Sequence, residues 1–439
     1  MLRRLAIAPL LLATALTVPA SAAQASTAQA DRCSGVRVPG AEYSVSACLT
    51  DLTTTGTLAT GHTDRDDWKG LVAPKTVTPS GVPGVQIDGY FPDTSTTNTN
   101  HHWNHDSQFV IRLPEKWNGG LVVAGPPGVR EQYANDPIIS DQVLAKGYAY
   151  AATDKGNTGE ELYKDGDRPG DAIMEWHRRM AELTVAAKKV TDQHYGRTPR
   201  VTYAAGLSAG GYLVRWQLEH YPELYTGGID WNALSFTRKG SLLTTLPPAL
   251  RAYPRFDKGD EGDKAAAHAE MLAAGYPKGS EELWGFHHKT QWDFLQRVIR
   301  EELDPEYDGA GQAGTPFCPA GTTRGCDTDY DFAARPESVH RAVDRISLTG
   351  RIQRPLISIQ GTLDVLTPPS TFGDVYDRMI TEAGRARLHR YVHVPGGTHT
   401  DGLVALSNDK IELKPMLPSF VSAFGELEAW ARPTTCSHT

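Results

Sequence analysis

The chain has 439 residues, of which 40% are hydrophobic and 22% charged, and its formal charge is −8 at pH 7. That length permits two domains or one enlarged α/β domain, each with a sizeable core. The acidic balance argues against nucleic acid or anionic lipid as a partner.

The first residues read as a secretory signal peptide spanning residues 1–25. Arg3 and Arg4 precede an apolar run from Leu5 to Val18, and Ala20-Ser21-Ala22 or Ala23-Gln24-Ala25 offers a cleavage site. The run is too short for a membrane anchor, and no other stretch is long and apolar enough to span a bilayer. The expected location is therefore extracellular, with no membrane partner. Five cysteines stand at Cys33, Cys48, Cys318, Cys326 and Cys436. An oxidising compartment favours disulfides, with Cys33–Cys48 and Cys318–Cys326 as the short-range pairs.

Residues 94–100 ("TSTTNTN") form a polar loop. "HHWNHD" follows, with His101, His102, His105 and Asp106. These are zinc-ligand types, but no helix puts them on one face, so a loop leading into a strand is the reading taken. From "SQFVIRLP" onward, strand and helix signals alternate: "GGLVVAG", "YAYAATD", then a long helix capped by Asp171 after Pro169 and ending at Gly196. In that helix Ile173, Trp176, Met180, Leu183, Ala187 and Val190 keep a spacing of three to four and mark one buried stripe. "RVTYAAG" is the next strand, a helix runs from Ala209 to about Tyr221, and "TGGIDWNAL" is a further strand. This alternation predicts an α/β fold with a mostly parallel sheet and helices on both faces.

The alternation breaks across residues 235–344, which read as a large inserted lid with helices of its own, since a structureless insertion that long is improbable. Its "LWGFHHKTQWDF" is helix-like. Trp284, Phe286, Trp292 and Phe294 there are candidates for an apolar substrate wall, with packing inside the lid as the plainer alternative. "CDTDYD" places Asp327, Asp329 and Asp331 like the start of a calcium loop but lacks the glycine and distal glutamate, so no metal site is assigned. "RPLISIQGTLD", "FGDVYDRMITEAG", "RLHRYVHVPGG" and "LPSFVSAFGELEAWA" then restore strand, helix, strand and helix. The core thus divides into residues 26–234 and 345–439.

"GLSAGG" holds Gly206-Leu207-Ser208-Ala209-Gly210, a G-x-S-x-G corner between a strand and a helix. Such a corner strains the serine backbone, lifts its hydroxyl above the strand ends and aims the Ala209 N–H at a developing oxyanion. A serine hydroxyl needs a base, and the base needs an orienting carboxylate. Asp364 and His399 follow in the required order, each on a loop after a late strand. Asp230 is the rival acid and His393 the rival base. The second oxyanion donor is expected from the loop after "GGLVVAG", where Pro126 and Pro127 lack an N–H and leave Gly125, Gly128 and Val129. The chemistry needs no cofactor.

The motifs "GLSAGG", "GTLDVLTPP" and "PGGTHTDG" resemble those of the α/β-hydrolase superfamily. "HDSQFVIRLPEKWNGGLVVAG" and "YAATDKGN" are similar to secreted bacterial esterases of the tannase and feruloyl esterase group and to extracellular 3-hydroxybutyrate oligomer hydrolases. The resemblance implies hydrolysis of carboxylic esters by a triad at Ser208, His399 and Asp364 and carries over no particular substrate; the expected partner is a small-molecule or oligomeric ester. The tannase-like group often staples its acid and base loops with a disulfide; here Leu363 and Thr398 precede the acid and the base, so that device is missing. A secreted serine peptidase or amidase on the same fold is the alternative, for which Asp257, Asp260, Glu261, Asp263, Glu281 and Glu282 would grip a peptide amine. A catalytically silent binding protein is the third reading.

Overall fold

The computed structural model describes residue 33, residues 35–307 and residues 327–431. The expected signal peptide, Cys318, Cys326, Cys436 and part of the expected lid lie outside the described residues.

Nine strands form one sheet in the order β1-β2-β3-β5-β4-β6-β7-β8-β9. They are β1 (Tyr43–Leu49), β2 (Gly84–Tyr90), β3 (Gln108–Pro114), β4 (Gly120–Gly125), β5 (Ala149–Thr153), β6 (Val201–Leu207), β7 (Gly227–Trp231), β8 (Leu356–Gly361) and β9 (His389–Val394). The first three pair antiparallel, β3 also pairs antiparallel with β5, and every later neighbour is parallel. Cys33 and Cys48 form the expected disulfide and fasten the chain ahead of β1 to that strand.

The α-helices whose ranges lie within the described residues are α1 (Thr54–Thr60), α2 (Asp141–Ala145), α3 (Asp171–Tyr195), α4 (Ala209–His220), α5 (Leu242–Lys258), α6 (Glu261–Ala273), α7 (Glu281–Thr290), α8 (Trp292–Leu303), α9 (Glu337–Arg345), α10 (Gly373–Glu382) and α11 (Leu417–Trp430). Both faces of the sheet are covered, which is why its central strands are continuous apolar runs. Leu121 and Val123 of β4 belong to the core shared with α3 and α4, while Val122 and Ala124 belong to the core shared with α11. The predicted stripe of α3 lies wholly in the first of these cores. Gly170, with φ of 87°, precedes that helix, so Asp171 is its first residue and not its cap. No helix among the described residues is long and apolar enough to cross a membrane.

Helices α5 to α9 occupy the stretch between β7 and β8. The segment expected as one helix from Leu283 to Phe294 is two, α7 and α8, divided at Gln291. The break turns Trp292 back to the core, where its Nε1 donates to the Val365 carbonyl at 3.0 Å. Strands β1 and β2 had no clear signal in the sequence. β2 carries Gln86 and Asp88, both buried, because Gln86 Nε2 and the Tyr133 hydroxyl donate to Asp88.

Candidate active site

Strand β6 runs into α4 through Ser208, whose φ of 59° and ψ of −116° lie outside the regions open to most side chains. The small neighbours explain how the corner closes. A Cβ on Gly206 would sit 2.3 Å from the Gly210 carbonyl carbon, and one on Gly210 would sit 2.1 Å from the Gly125 oxygen. The end of β4 therefore abuts the first turn of α4 with no room for a methyl group. Ser208 N donates to the Trp231 carbonyl at 2.9 Å, and its own carbonyl accepts from Leu234 N at 3.1 Å, so β7 holds the corner from the other side. Ala209 opens α4, where a helix leaves its first N–H groups without internal acceptors.

Asp364 and His399 meet on the loops after β8 and β9. His399 Nδ1 donates to Asp364 Oδ2 at 2.9 Å, and the two are 4% and 0% exposed. Asp364 Oδ1 also accepts from the backbone of Leu366 and Thr367 at 2.8 and 2.9 Å, and Oδ2 accepts the Thr367 hydroxyl at 2.6 Å. Burial alone would raise this carboxyl, but the His399 ring and the Thr367 donors outweigh it and hold the group below the usual carboxylate range. An ionised carboxylate fixes the ring so that Nε2 is the free acceptor. Among the described residues the hydrogen bonds of Ser208 run through its backbone, so the side-chain relay ends at His399 in this structure.

The rivals sit elsewhere. Asp230 is gripped by Arg215, with Nε and Nη2 donating at 3.0 and 2.9 Å, and it accepts the Ser358 hydroxyl at 2.6 Å. His393 lies on the edge strand β9 with its side chain half exposed, 3.4 Å from Asp374.

The two loops are joined without a disulfide. Leu363 N donates to the Gly397 carbonyl at 2.9 Å, and a Cβ on Gly361 would lie 2.5 Å from that same oxygen. Asn232, just past β7, links them a second time. Its Nδ2 donates to the carbonyls of Thr398 and His399 at 2.7 and 3.0 Å, and its Oδ1 accepts from Gly361 N at 2.8 Å. Its φ is 45°, a conformation asparagine tolerates better than most residues. Asn232 stands inside "TGGIDWNAL", which the sequence predicts as strand, so nothing local marks it beyond an asparagine closing an apolar run.

The loop after β4 holds the candidate oxyanion donors Gly125, Gly128 and Val129. The Gly125 carbonyl accepts from Asn135 Nδ2 at 2.7 Å, Gly128 has φ of 53°, and the Val129 carbonyl accepts from Gly159 N at 3.0 Å. The brace behind it is the "TDKGN" turn. There Lys155 is fully buried with φ of 76°, lies over the Trp176 ring and donates to the Arg130 carbonyl at 3.3 Å. Burial drives its amine down despite the neighbouring Asp154.

The aromatic candidates divide. Trp284 is buried beside Phe256 and Tyr276 with its Nε1 on Ser280 Oγ, and Trp292 is buried against the acid loop. Phe286 is 38% exposed, and Phe294 is partly buried against the larger core. Six of the side chains with metal-ligand chemistry have protein partners. Asp327 takes Arg300 at 2.8 Å, Asp329 takes the Tyr307 hydroxyl at 2.7 Å, and Asp331 takes Ala333 N at 3.0 Å. His101 meets the Tyr133 hydroxyl, His105 meets the Asp106 carbonyl, and Asp106 accepts from Thr97 and Asn98.

Comparison with known proteins adds a resemblance over part of the chain. Residues 94–240 match the model of the tannase and feruloyl esterase family. A probable feruloyl esterase of Arthroderma benhamiae is 26% identical over 168 residues, which are 36% of this chain and 30% of that protein. The chain thus spans under a third of that relative's length. Feruloyl esterase B of Aspergillus oryzae superposes with a TM-score of 0.50 at 11% identity, over 84% of this chain and 83% of the other. The tannin acyl hydrolase of Aspergillus niger gives 0.50 at 13% identity, over 92% and 87%. In fold the chain is an α/β-hydrolase, and over residues 94–240 it resembles the tannase and feruloyl esterase family.

Proposed function

We propose that this chain is a secreted serine hydrolase that cleaves carboxylic esters through an acyl-enzyme. One observation carries the reading: a serine on a strained strand-to-helix corner shares the C-terminal edge of the parallel strands with a hydrogen-bonded Asp–His pair. His399 Nε2 takes the Ser208 proton as Oγ attacks the ester carbonyl. Asp364 stabilises the imidazolium. The Ala209 N–H and one N–H from Gly125, Gly128 or Val129 hold the oxyanion. Collapse of the tetrahedral intermediate passes the proton from His399 to the leaving alcohol. Water, deprotonated by His399, then releases the acid and returns Ser208. The sequence match to tannase and feruloyl esterase supports an ester over an amide. Three of the six acids named for a peptidase have protein partners: Asp260 caps α6 through Asp263 N, Glu281 pairs with His268, and Glu282 pairs with Lys410. Residues 235–344 act as the lid that shapes the pocket, and the substrate is a small or oligomeric ester.

A fluorophosphonate probe tests the reading. Labelling of the wild type at Ser208, lost in Ser208→Ala, is expected together with hydrolysis of simple esters. An unlabelled wild-type protein that nevertheless binds esters would move the assignment to a binding protein.

A further inference from the structure

Strand β5 ends in a turn that carries a buried cation. Lys155 and Gly156 take successive left-handed conformations, with φ of 76° and 98°. Thr153 Oγ1 accepts from Lys155 N at 3.1 Å, and Asp154 Oδ1 accepts from Gly156 N at 2.9 Å, so side chains of the turn itself fix it. A left-handed lysine is strained, and such strain persists where the surroundings over-determine it. The Lys155 side chain is sent inward, and its nitrogen lies 5.1 Å from the centre of the Trp176 ring. Its one hydrogen bond to protein among the described residues goes to the Arg130 carbonyl at 3.3 Å, and it makes no ion pair there.

That carbonyl belongs to the loop after β4. Arg130 N donates to the Pro127 carbonyl at 3.2 Å and closes a turn around Gly128 and Val129, whose own N–H groups donate to no protein acceptor among the described residues. The start of the loop abuts the nucleophile corner: a Cβ on Gly210 would lie 2.1 Å from the Gly125 oxygen and 3.3 Å from the Pro126 oxygen. The far end is held at three points. Gly159 N donates to the Val129 carbonyl at 3.0 Å, the Arg130 guanidinium donates to the carbonyls of Asp67 and Lys69 at 3.0 and 2.7 Å, and Lys155 holds the Arg130 carbonyl. Of these donors the lysine is the one that gives up a proton near neutral pH. Burial pushes its amine down to about 8, against the pull of Asp154, Glu131 and Asp106. Burial and Asp106 push the Asp154 carboxyl up to about 7. From α3, Glu175 and Arg179 stand beside Gly156.

A hydrogen bond from an ionised donor is roughly twice as strong as one from a neutral group. Resting on the serine hydrolase reading above, we propose that Lys155 is a positioning residue for oxyanion stabilisation: its ammonium holds the Gly128–Arg130 turn so that a free N–H of Gly128 or Val129 reaches the oxygen of the group under attack by Ser208. A donor that drifts out of place forfeits the stabilisation that a preorganised one supplies.

The test measures the rate at which a fluorophosphonate labels Ser208 in the full chain, from about pH 6 to about pH 10, because phosphonylation, like ester attack, builds charge on an oxygen held by these donors. The wild-type rate is expected to fall ~10-fold on the alkaline side as Lys155 loses its proton. Lys155→Met keeps an unbranched stem over Trp176. It is expected to be ~10-fold slower at neutral pH and to lack the alkaline fall. Lys155→Arg, which stays charged throughout, is expected to recover part of the neutral rate and also to lack the fall. A Lys155→Met protein that labels at the wild-type rate, or that is slow yet keeps the alkaline fall, overturns the inference and leaves the hydrolase reading intact. Should neither variant fold, the wild-type profile decides, and a rate that does not fall on the alkaline side overturns the inference. A wild type that is labelled at no pH overturns both.

Discussion

The side-chain amide of Asn232 donates to the backbone carbonyl of His399 at 3.0 Å. Through its other bonds, to Thr398 and Gly361, the same amide holds the base loop against the end of the acid strand. Asn232→Ala removes three hydrogen bonds at a buried site and places a residue ill suited to φ of 45° there. We expect a loss of about 2–3 kcal/mol in stability by chemical denaturation. We also expect kcat to fall ~10- to 100-fold with KM less affected, because a small displacement of the base misaligns proton transfer. A variant as active as the wild type would show that the loops hold their positions without this amide.

The two candidate acids separate cleanly. Asp364→Asn is expected to leave the fold intact and lower kcat by ~10⁴-fold, since an amide no longer holds His399 in the productive tautomer. Asp230→Asn leaves the buried Arg215 guanidinium short of its partner. It is expected to cost ~3–5 kcal/mol in stability while soluble protein retains turnover. Activity and thermal unfolding measured on both variants check this; the opposite pattern would transfer the acid role to Asp230.

Gly210→Ala puts a methyl group where the Gly125 oxygen lies 2.1 Å away. The end of β4 must retreat, carrying the Gly125–Val129 loop from Ala209. The expected cost is about 1–3 kcal/mol in stability, with a fall in kcat of ~10²-fold if one oxyanion donor is lost. Wild-type kcat in this variant would mean that the β4 loop contributes no donor.

Much of this was legible in sequence. The strands from β3 onward, α3 and the Ser208 corner announce themselves because a doubly covered sheet demands apolar runs and a tight corner demands glycines. The order Ser208, Asp364, His399 follows from the order of the strands that carry them. The residues that support the site were hidden for a physical reason. Asn232 and Thr367 act through tertiary proximity, and no local periodicity marks a side chain whose partners lie on another loop or strand. β1 and β2 escaped notice because their polar residues are satisfied by distant donors such as Tyr133.

Stability should also fall as pH rises from the acid side. Burial pushes the Asp141 carboxyl up to about 7 despite the donors on Thr54, while the unfolded value is near 3.8. Between those values the native state keeps a proton that the unfolded chain has released, so the stabilisation present below pH 4 is lost on approaching pH 7. Asp141→Asn removes this titration. Urea unfolding at pH 4 and pH 7 is expected to show the wild type losing on the order of 2–4 kcal/mol more than the variant. Parallel curves for the two proteins would place the proton elsewhere.

Strands β7 and β8 are direct neighbours, yet the whole helical segment α5–α9 is strung between them. The entropy of closing such a loop grows only with the logarithm of its length, roughly 0.6 kcal/mol per doubling. Insertions and deletions in that segment therefore cost the sheet little in closure entropy, and the sheet ladder and the Asn232 ties lie outside it. On the proposed reading, remodelling this one exchangeable piece changes substrate choice and leaves Ser208, Asp364 and His399 in place.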